Sequence, residues 1–274
     1  MSEIYAFLGP ALPKISALGE LDAVYLPPAV EGDICRLMQL RPRVIAIIDG
    51  GYGNAAQIGH KEIMWAMEHG VHVFGGAGIG ALRAVELQAF GMRGAGWVYE
   101  AFRDGALEQD DEITVAYERH DQGYRRLSEP MVNIRHALLA AAQEKVITEA
   151  TCHVLTIRAK ARFYAHRDWP GLLSIAEQEA GPAEVMALRD WLAQGRPDLV
   201  ARDTVTLLRA IREFMAADPP PLMVPWTIAN TTHWNAVRRR AVSTAGADLT
   251  DGLHSQGTRG DFAVDGDAAK RTGT

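Results

Sequence analysis

Residues 71–87, VHVFGGAGIGALRAVEL, decide the fold that the sequence predicts. A short apolar run leads into a cluster of glycines, and a segment with helical spacing follows. This order indicates a strand, a tight turn and a helix. Glycines in such a turn let backbone N–H groups face a ligand at the positive end of the helix. The alternative is that they only allow the strand and the helix to pack closely.

The segments before this stretch alternate between strand-like and helix-like patterns through the first ninety residues. Residues 43–48, RVIAII, are the most continuous apolar run, as expected of a buried parallel strand. They place Asp49 at the carboxyl end of a strand, where open parallel sheets bind ligands. The sequence therefore predicts an α/β fold, with a parallel sheet of about four to five strands flanked by helices and followed by a mainly helical lobe.

The chain is predicted to divide into four parts. The boundaries are an α/β core over 1–129, a helical lobe packed on it over 130–218, an irregular and partly docked segment over 219–242, and a disordered tail over 243–274. Apolar residues at three- and four-residue spacing indicate the lobe. Trp226 and Trp234 are the residues expected to dock the irregular segment, and the tail is rich in small and polar residues.

The composition is that of an ordinary globular protein, with 48% hydrophobic and 23% charged residues among 274. The longest apolar runs fall short of the ~20 residues of a membrane span, so we expect a cytoplasmic protein without a membrane partner. A net charge of -6 argues against nucleic-acid binding. Cys35 and Cys152 lie far apart without a CxxC spacing, so the sequence predicts neither a zinc site nor a disulfide framework.

Three adjacent acids, Asp110–Glu112, precede a predicted strand over 113–117. They could bind a divalent cation. However, adjacent carboxylates are more typical of a solvated loop, because cation sites need converging oxygens. No metal site is predicted.

Seven collinear blocks between residues 4 and 164 carry a family resemblance. They are FLGP, PPAVEGDI, IDG, HKEIMWAMEHG, GALRAVEL, YEAFRDGALEQDDE and LSEPMVNIR. In these blocks the chain resembles the TfuA-like family. The resemblance implies a role beside YcaO-type enzymes, which use ATP to activate a peptide amide oxygen and replace it with sulfur, giving a thioamide. Such chemistry belongs to RiPP biosynthesis, in which ribosomally made peptides are modified.

The resemblance also implies how the chain takes part. A TfuA-like partner supplies sulfur by hydrolysing the thiocarboxylate of a ThiS-like, ubiquitin-like carrier. The implied partners are the YcaO-type enzyme and this carrier, with a precursor peptide as a further candidate. No cofactor is implied.

The chain departs from the family at the strand–helix turn. Family members usually read Ser-Met-Gly-Ala-Leu-Arg-Ala there, and the serine resembles a nucleophile on an elbow surrounded by backbone donors. Here residues 78–84 read Gly-Ile-Gly-Ala-Leu-Arg-Ala. Because Gly78 has no side chain, an acyl-enzyme cannot form at this position. The chain then either hydrolyses by direct attack of water, has kept binding without hydrolysis, or is an altered variant.

On the hydrolase hypothesis, Asp49 and His60 act as base and orienting partner, and Arg83 with Glu86 holds the site in shape. The N–H groups of residues 78–81 bind the oxyanion. The predicted catalytic positions are Asp49, His60, Gly78, Arg83 and Glu86. The predicted substrate-binding positions are Gly76, Ile79, Gly80, Ala81, Lys61, Glu62, Arg103, Glu129, Asn133 and Arg135.

Two other hypotheses stay open at this point. The first is a non-catalytic protein that docks the carrier or the YcaO-type enzyme and activates it. The second reads Gly76-x-Gly78-x-x-Ala81 as a dinucleotide site. It is weaker, because the turn follows the fourth predicted strand and Glu100, the acid at a suitable distance, falls in a predicted helix.

Overall fold

A computed structural model describes residues 3–51, 57–118 and 123–243. Its centre is a parallel five-stranded sheet in the order β2-β1-β3-β4-β5. The strands are β1 (Ile4–Phe7), β2 (Val24–Leu26), β3 (Val44–Ile47), β4 (His72–Gly75) and β5 (Arg93–Gly94). The predicted parallel α/β fold is therefore confirmed.

Helices separate the strands and make up most of the described residues after β5. They are α1 (Lys14–Leu18), α2 (Asp33–Leu37), α3 (His60–Glu68), α4 (Ile79–Leu87), α5 (Trp97–Arg103), α6 (Met131–Gln143), α7 (Glu149–Ala161), α8 (Trp169–Glu179), α9 (Pro182–Gln194), α10 (Leu199–Ala216) and α11 (Thr232–Ser243). The helical region after β5 is confirmed as well. None of the helices in the described ranges is both long enough and apolar enough to cross a membrane.

The strand order places a topological switch point between β1 and β3. From β1 the chain first adds β2 on one side and then β3 on the other. The loops that leave β1 and β3 therefore diverge and open a crevice at the carboxyl ends of the strands. Open α/β sheets bind ligands in such a crevice.

The turn between β4 and α4 fixes how closely this helix approaches the sheet. A Cβ added to Gly80 would lie 1.7 Å from the carbonyl oxygen of Ile47, and one added to Gly75 would lie 2.1 Å from that of Gly80. Ala77, between them, has φ of 61° in the left-handed region. Close packing of the helix on the sheet thus requires glycine at positions 75 and 80, whether or not the turn also binds a ligand.

The helices of the lobe predicted over 130–218 pack in two ways. Helices α6 to α9 enclose a core of their own, whose buried side chains include Leu138, Leu155 and Leu188. Helix α10 instead packs on the sheet, where the Phe214 ring lies edge-on to the rings of His72 and Phe74. The helix therefore belongs to the layer that covers β4.

Two predicted segments differ from the structure. Residues 113–117 form no extended strand; Tyr117 makes one isolated antiparallel bridge with Arg126. The segment predicted as irregular over 219–242 ends in helix α11, because burial of Trp234 beside Cys35 stabilises a helix that its polar sequence does not suggest. Residues 244–274, in the predicted disordered tail, lie outside the described ranges.

We expect Gly80→Ala to destabilise the protein strongly, because the new methyl group would overlap the Ile47 carbonyl oxygen 1.7 Å away. The expected loss in free energy of unfolding is about 3 kcal/mol or more, the upper part of the range for overpacked cores. Urea denaturation measures it. Gly195→Ala is the control, since no atom lies within 4 Å of its added Cβ. Equal stability of the two variants would contradict the close approach of α4 to β3.

Candidate functional site

Asp49 lies at the switch point, directly after β3. Its Oδ2 atom accepts hydrogen bonds from the backbone N–H of Gly9 (2.7 Å) and of Ala11 (3.0 Å), both in the loop that leaves β1. Its own backbone N–H donates to the carbonyl oxygen of Phe7 at 3.2 Å. The side chain and the backbone of Asp49 thus both join the ends of β1 and β3.

The surroundings of Asp49 favour the protonated, neutral form of its carboxyl group relative to the same group in water. Burial raises its pKa from 3.8 to about 6, and the bonds from Gly9 and Ala11 and the positive charge of Arg126 oppose that rise. The residue keeps 7% of its surface exposed. A buried carboxyl with a pKa near the working pH is suited to accept and return a proton.

Gly78 faces this carboxyl. A Cβ built on Gly78 would lie 3.2 Å from Asp49 Oδ1, the oxygen that accepts neither of the two loop bonds. The same Cβ would lie 2.7 Å from the carbonyl oxygen of Ile48. A serine at this position would therefore sit beside the Asp49 carboxylate, but only after the backbone had moved.

Part of the predicted oxyanion site is already occupied by the protein. The N–H of Gly80 donates to the carbonyl oxygen of Ile48 (3.2 Å), and that of Ala81 donates to the carbonyl oxygen of Gly78 (3.0 Å). Of the four N–H groups predicted to bind an anion, those of Gly78 and Ile79 remain as candidates. The N–H of Gly76 donates to Ile47 at 3.3 Å.

His60, Arg83 and Glu86 form a second cluster. Glu86 Oε2 lies 2.8 Å from His60 Nε2 and accepts a bond of 2.5 Å from Arg83 Nη1. The side chains of His60 and Glu86 are 47% and 34% exposed. Glu86 lies two turns of α4, about 12 Å, beyond Gly78. The structure thus pairs His60 with Glu86, and it pairs Asp49 with backbone groups, whereas the sequence predicted that Asp49 and His60 pair with each other.

Glu129 and Asn133 belong to a network of hydrogen bonds and ion pairs that connects the helical region to the loop after β1. Arg126 Nη1 contacts Asp198 Oδ2 at 2.9 Å and Glu129 Oε2 at 3.2 Å. The amide of Asn133 donates to Asp198 and Glu129, at 3.1 and 3.3 Å. Arg126 Nη2 donates to the carbonyl oxygen of Pro10 at 3.1 Å, between the two residues that hold Asp49.

The other predicted binding residues have partners within the chain. Lys61 donates to the carbonyl oxygen of Ala229 at 2.8 Å, and the buried Glu62 accepts from the N–H of Gly32 at 2.8 Å. Arg103 pairs with its exposed neighbour Asp104 at 2.8 Å. Substrate binding by these residues stays a prediction.

The acids over Asp110–Glu112 form an ion-pair network, so the solvated loop is the wrong description for Glu112. This residue is 3% exposed, and Arg135 holds it through two bonds of 2.9 Å. Lys160 lies 2.8 Å from it, and Arg167 pairs with Asp111 at 2.7 Å. Cations from α6, α7 and the chain before α8 thus neutralise these carboxylates. Over the described ranges, no group of three or more His, Cys, Asp or Glu side chains is arranged to hold a metal ion.

Three parts of the site were not predicted from the sequence. They are the loop with Gly9 and Ala11, the side chain of Arg126, and Tyr117, whose hydroxyl donates to the Gly50 carbonyl oxygen at 3.4 Å. Burial raises the pKa of Tyr117, and the Asp49 charge adds to that rise. A Gly-Pro pair after the first strand was the available signal for the loop. Nothing in the spacing of Arg126 and Tyr117 relates them to Asp49.

A pocket of about 200 Å³ borders the same loop. Its lining includes Gly9, Leu12, Lys14, Tyr25 and Tyr124. The volume is below that of most sites for drug-sized ligands. Because Gly9 belongs to its lining, the pocket lies close to the switch point.

Comparison with protein families gives one match that bears on this site. Residues 49–168 match the family model described as TfuA-like protein. The matched range begins at Asp49 and includes α3, α4 and the polar segment before α6, whereas the FLGP and PPAVEGDI blocks precede it. No curated protein gives a significant match to the chain.

Asp49→Asn should stabilise the protein at neutral and alkaline pH. The folded-state pKa of Asp49, about 6, lies above the ordinary value of 3.8, so the folded form loses stability as pH rises through this window. Asparagine can accept the same two backbone bonds without the buried charge. We expect a gain of roughly 2–3 kcal/mol at pH 8 that disappears below pH ~4.

Urea denaturation of both proteins at pH 4 and pH 8 measures this gain. Asp190→Asn, which changes an exposed residue of α9, is the control. A gain at pH 8 no larger than the gain at pH 4 would show that burial of Asp49 does not oppose its ionisation.

Proposed function

We propose that this chain, which is TfuA-like over residues 49–168, supplies sulfur to a YcaO-type enzyme by hydrolysing the thiocarboxylate of a ThiS-like carrier. The family match supports a role in thioamide-forming systems. Within that role, the observation that carries the hydrolase proposal is the Asp49 carboxyl. It is buried at the switch point, its pKa is raised to about 6, and one of its oxygens faces the position of the family serine.

Asp49 suits direct attack by water, because the elbow position lacks a nucleophile. Its Oδ2 atom is fixed by two N–H groups, and Oδ1 faces Gly78. A water molecule bound to Oδ1 would therefore lie near the N–H groups of Gly78 and Ile79, the candidate oxyanion donors. A general base held in this way contributes typically 10²–10⁴ to a rate.

The reaction balances without a cofactor. Water forms the new C–O bond at the thiocarboxylate carbon while one of its protons passes to Asp49. The C–S bond then breaks with its electron pair on sulfur, which takes the proton from Asp49 and leaves as hydrosulfide. The carrier is left with an ordinary carboxyl group, and Asp49 is ionised again. In this scheme Glu86 lies too far along α4 to touch the reacting carbon. Through its contacts with His60 of α3 and with Arg83, it holds the start of α3 against α4.

The alternative is a non-catalytic protein that docks the carrier or the YcaO-type enzyme and activates it. The bonds already made by Gly80 and Ala81 favour it, since they reduce the oxyanion site to two candidate donors. The absent side chain at Gly78 favours it as well. The hydrolase releases sulfide by itself and needs Asp49 to do so, whereas the docking protein releases none.

Incubation of the protein with a thiocarboxylated ubiquitin-like carrier tests the proposal. We expect sulfide release above the rate in buffer, with Asp49→Asn slower by roughly 10²-fold or more. His60→Ala should have a smaller effect, because His60 contacts Glu86 on an exposed surface. Asp190→Asn is the matched control for Asp49, and His69→Ala, at the other end of α3, is the control for His60.

No release above buffer from a folded wild-type protein would exclude hydrolysis by this chain. In that case, a stable complex with the YcaO-type enzyme or carrier that Asp49→Asn leaves intact would establish the docking alternative. Gly78→Ser should not be used alone as a rescue variant, because its Cβ would lie 2.7 Å from the Ile48 carbonyl oxygen.

A further inference from the structure

Arg126 and Asp49 bind opposite ends of one peptide group. The carbonyl of Pro10 and the N–H of Ala11 belong to the same peptide bond. Arg126 Nη2 donates to this oxygen at 3.1 Å, and the N–H donates to Asp49 Oδ2 at 3.0 Å. The peptide unit is planar, so fixing the direction of its carbonyl also fixes the direction of its N–H.

The guanidinium is itself held firmly. Its Nη1 atom contacts Asp198 and Glu129, and both carboxylates also accept from Asn133. Asp198 in addition caps α10, accepting from the N–H of Ala201 at 2.9 Å. The Arg126 side chain is only 14% exposed. A buried cation with two carboxylate partners has a defined orientation, and the bond to Pro10 follows from that orientation.

We propose that Arg126 is a positioning residue for Asp49, acting through the Pro10–Ala11 peptide group. A hydrogen bond from a cation to the carbonyl polarises the peptide and strengthens its N–H as a donor. The stronger donor holds Oδ2 and leaves Oδ1 directed towards Gly78. The start of the helical region thereby supports the orientation of a carboxyl group at the edge of the sheet. The effect on catalysis rests on the function proposed above, but the positioning itself does not.

Two effects of removing the Arg126 side chain would distinguish positioning of Asp49 from a general structural role of Arg126. Loss of Arg126 should favour the neutral form of Asp49, because the charge and the polarised N–H both stabilise the carboxylate. The Ala11 amide proton should also respond less to the ionisation of Asp49. Arg126 is the charged group that contributes to the ionisation of Asp49, and Tyr117 is the nearby titratable hydroxyl. Glu129 and Asp198 contact Nη1 of Arg126, whereas Nη2 donates to Pro10.

The experiment follows the titration of Asp49 by NMR in protein labelled with ¹³C at aspartate carboxyl carbons, with the signal assigned by its loss in Asp49→Asn. Arg126→Met removes the charge and the donor, and Arg126→Lys keeps the charge with a single donor. Arg209→Met is the control, since Arg209 also joins α10 to the sheet region, through an exposed pair with Glu20 at 2.8 Å. Near-UV circular dichroism establishes that each variant is folded.

We expect Arg126→Met to raise the Asp49 midpoint by roughly 0.5–1 pH unit, with a reduced response of the Ala11 amide proton. Arg126→Lys should lie between this variant and the wild type, and Arg209→Met should match the wild type. The acid limb of sulfide release should move by the same amount as the midpoint. If Arg126→Met does not fold, the comparison of Arg126→Lys with Arg209→Met decides.

An unchanged Asp49 midpoint and an unchanged Ala11 response in a folded Arg126 variant would overturn the positioning role, whatever the sulfide assay gives. A shifted midpoint in a protein that releases no sulfide would support positioning and refute hydrolysis. The two proposals can therefore fail separately.

Discussion

The hydrogen bonds from the loop after β1 to the Asp49 carboxylate are the contact on which the candidate site depends. They join the two strands between which the sheet's connections diverge, so they determine the shape of the crevice at the switch point. Backbone pairing of Asp49 with Phe7 and Ala29 supports the same junction. Asp49 is a structural link, and in the proposed function it is also the general base. Its burial therefore favours the neutral acid while its two N–H partners favour the carboxylate.

Close packing of α4 against β3 limits what the turn before α4 can do. The N–H groups of Gly80 and Ala81 donate hydrogen bonds to neighbouring carbonyl oxygens. A side chain at Gly78 would overlap the carbonyl oxygen of Ile48. The glycine at position 78 is thus part of the local packing of this chain. The proposed hydrolysis therefore relies on Asp49 and a water molecule, and the docking alternative needs no reaction at this site.

Charged side chains connect elements that are far apart in the sequence through ion pairs and hydrogen bonds. Arg126 connects the loop after β1 to α6 and α10, and Glu86 connects α3 to α4 through His60 and Arg83. Arg135 and Lys160 neutralise Glu112 within the helical region. Each of these groups is held by an opposite charge, which offsets part of the cost of removing it from water. Residues of all three clusters were predicted to belong to one site, and that grouping stays a prediction.

The sequence by itself determined the order of the elements and the position of Asp49 at the end of a buried strand. Apolar periodicity and glycine placement are local properties, and they predicted β3, the turn over residues 76–78 and the helix that follows. They did not predict α11, whose Trp234 is buried by distant residues, or the absence of a strand over 113–117. Only the tertiary structure decided which polar groups meet. The partners of Asp49 lie 40 and 38 residues away, and Arg126 reaches Pro10 across 116 residues. No local spacing encodes such contacts, because they follow from the parallel strand order and from the packing of the helical region against the sheet.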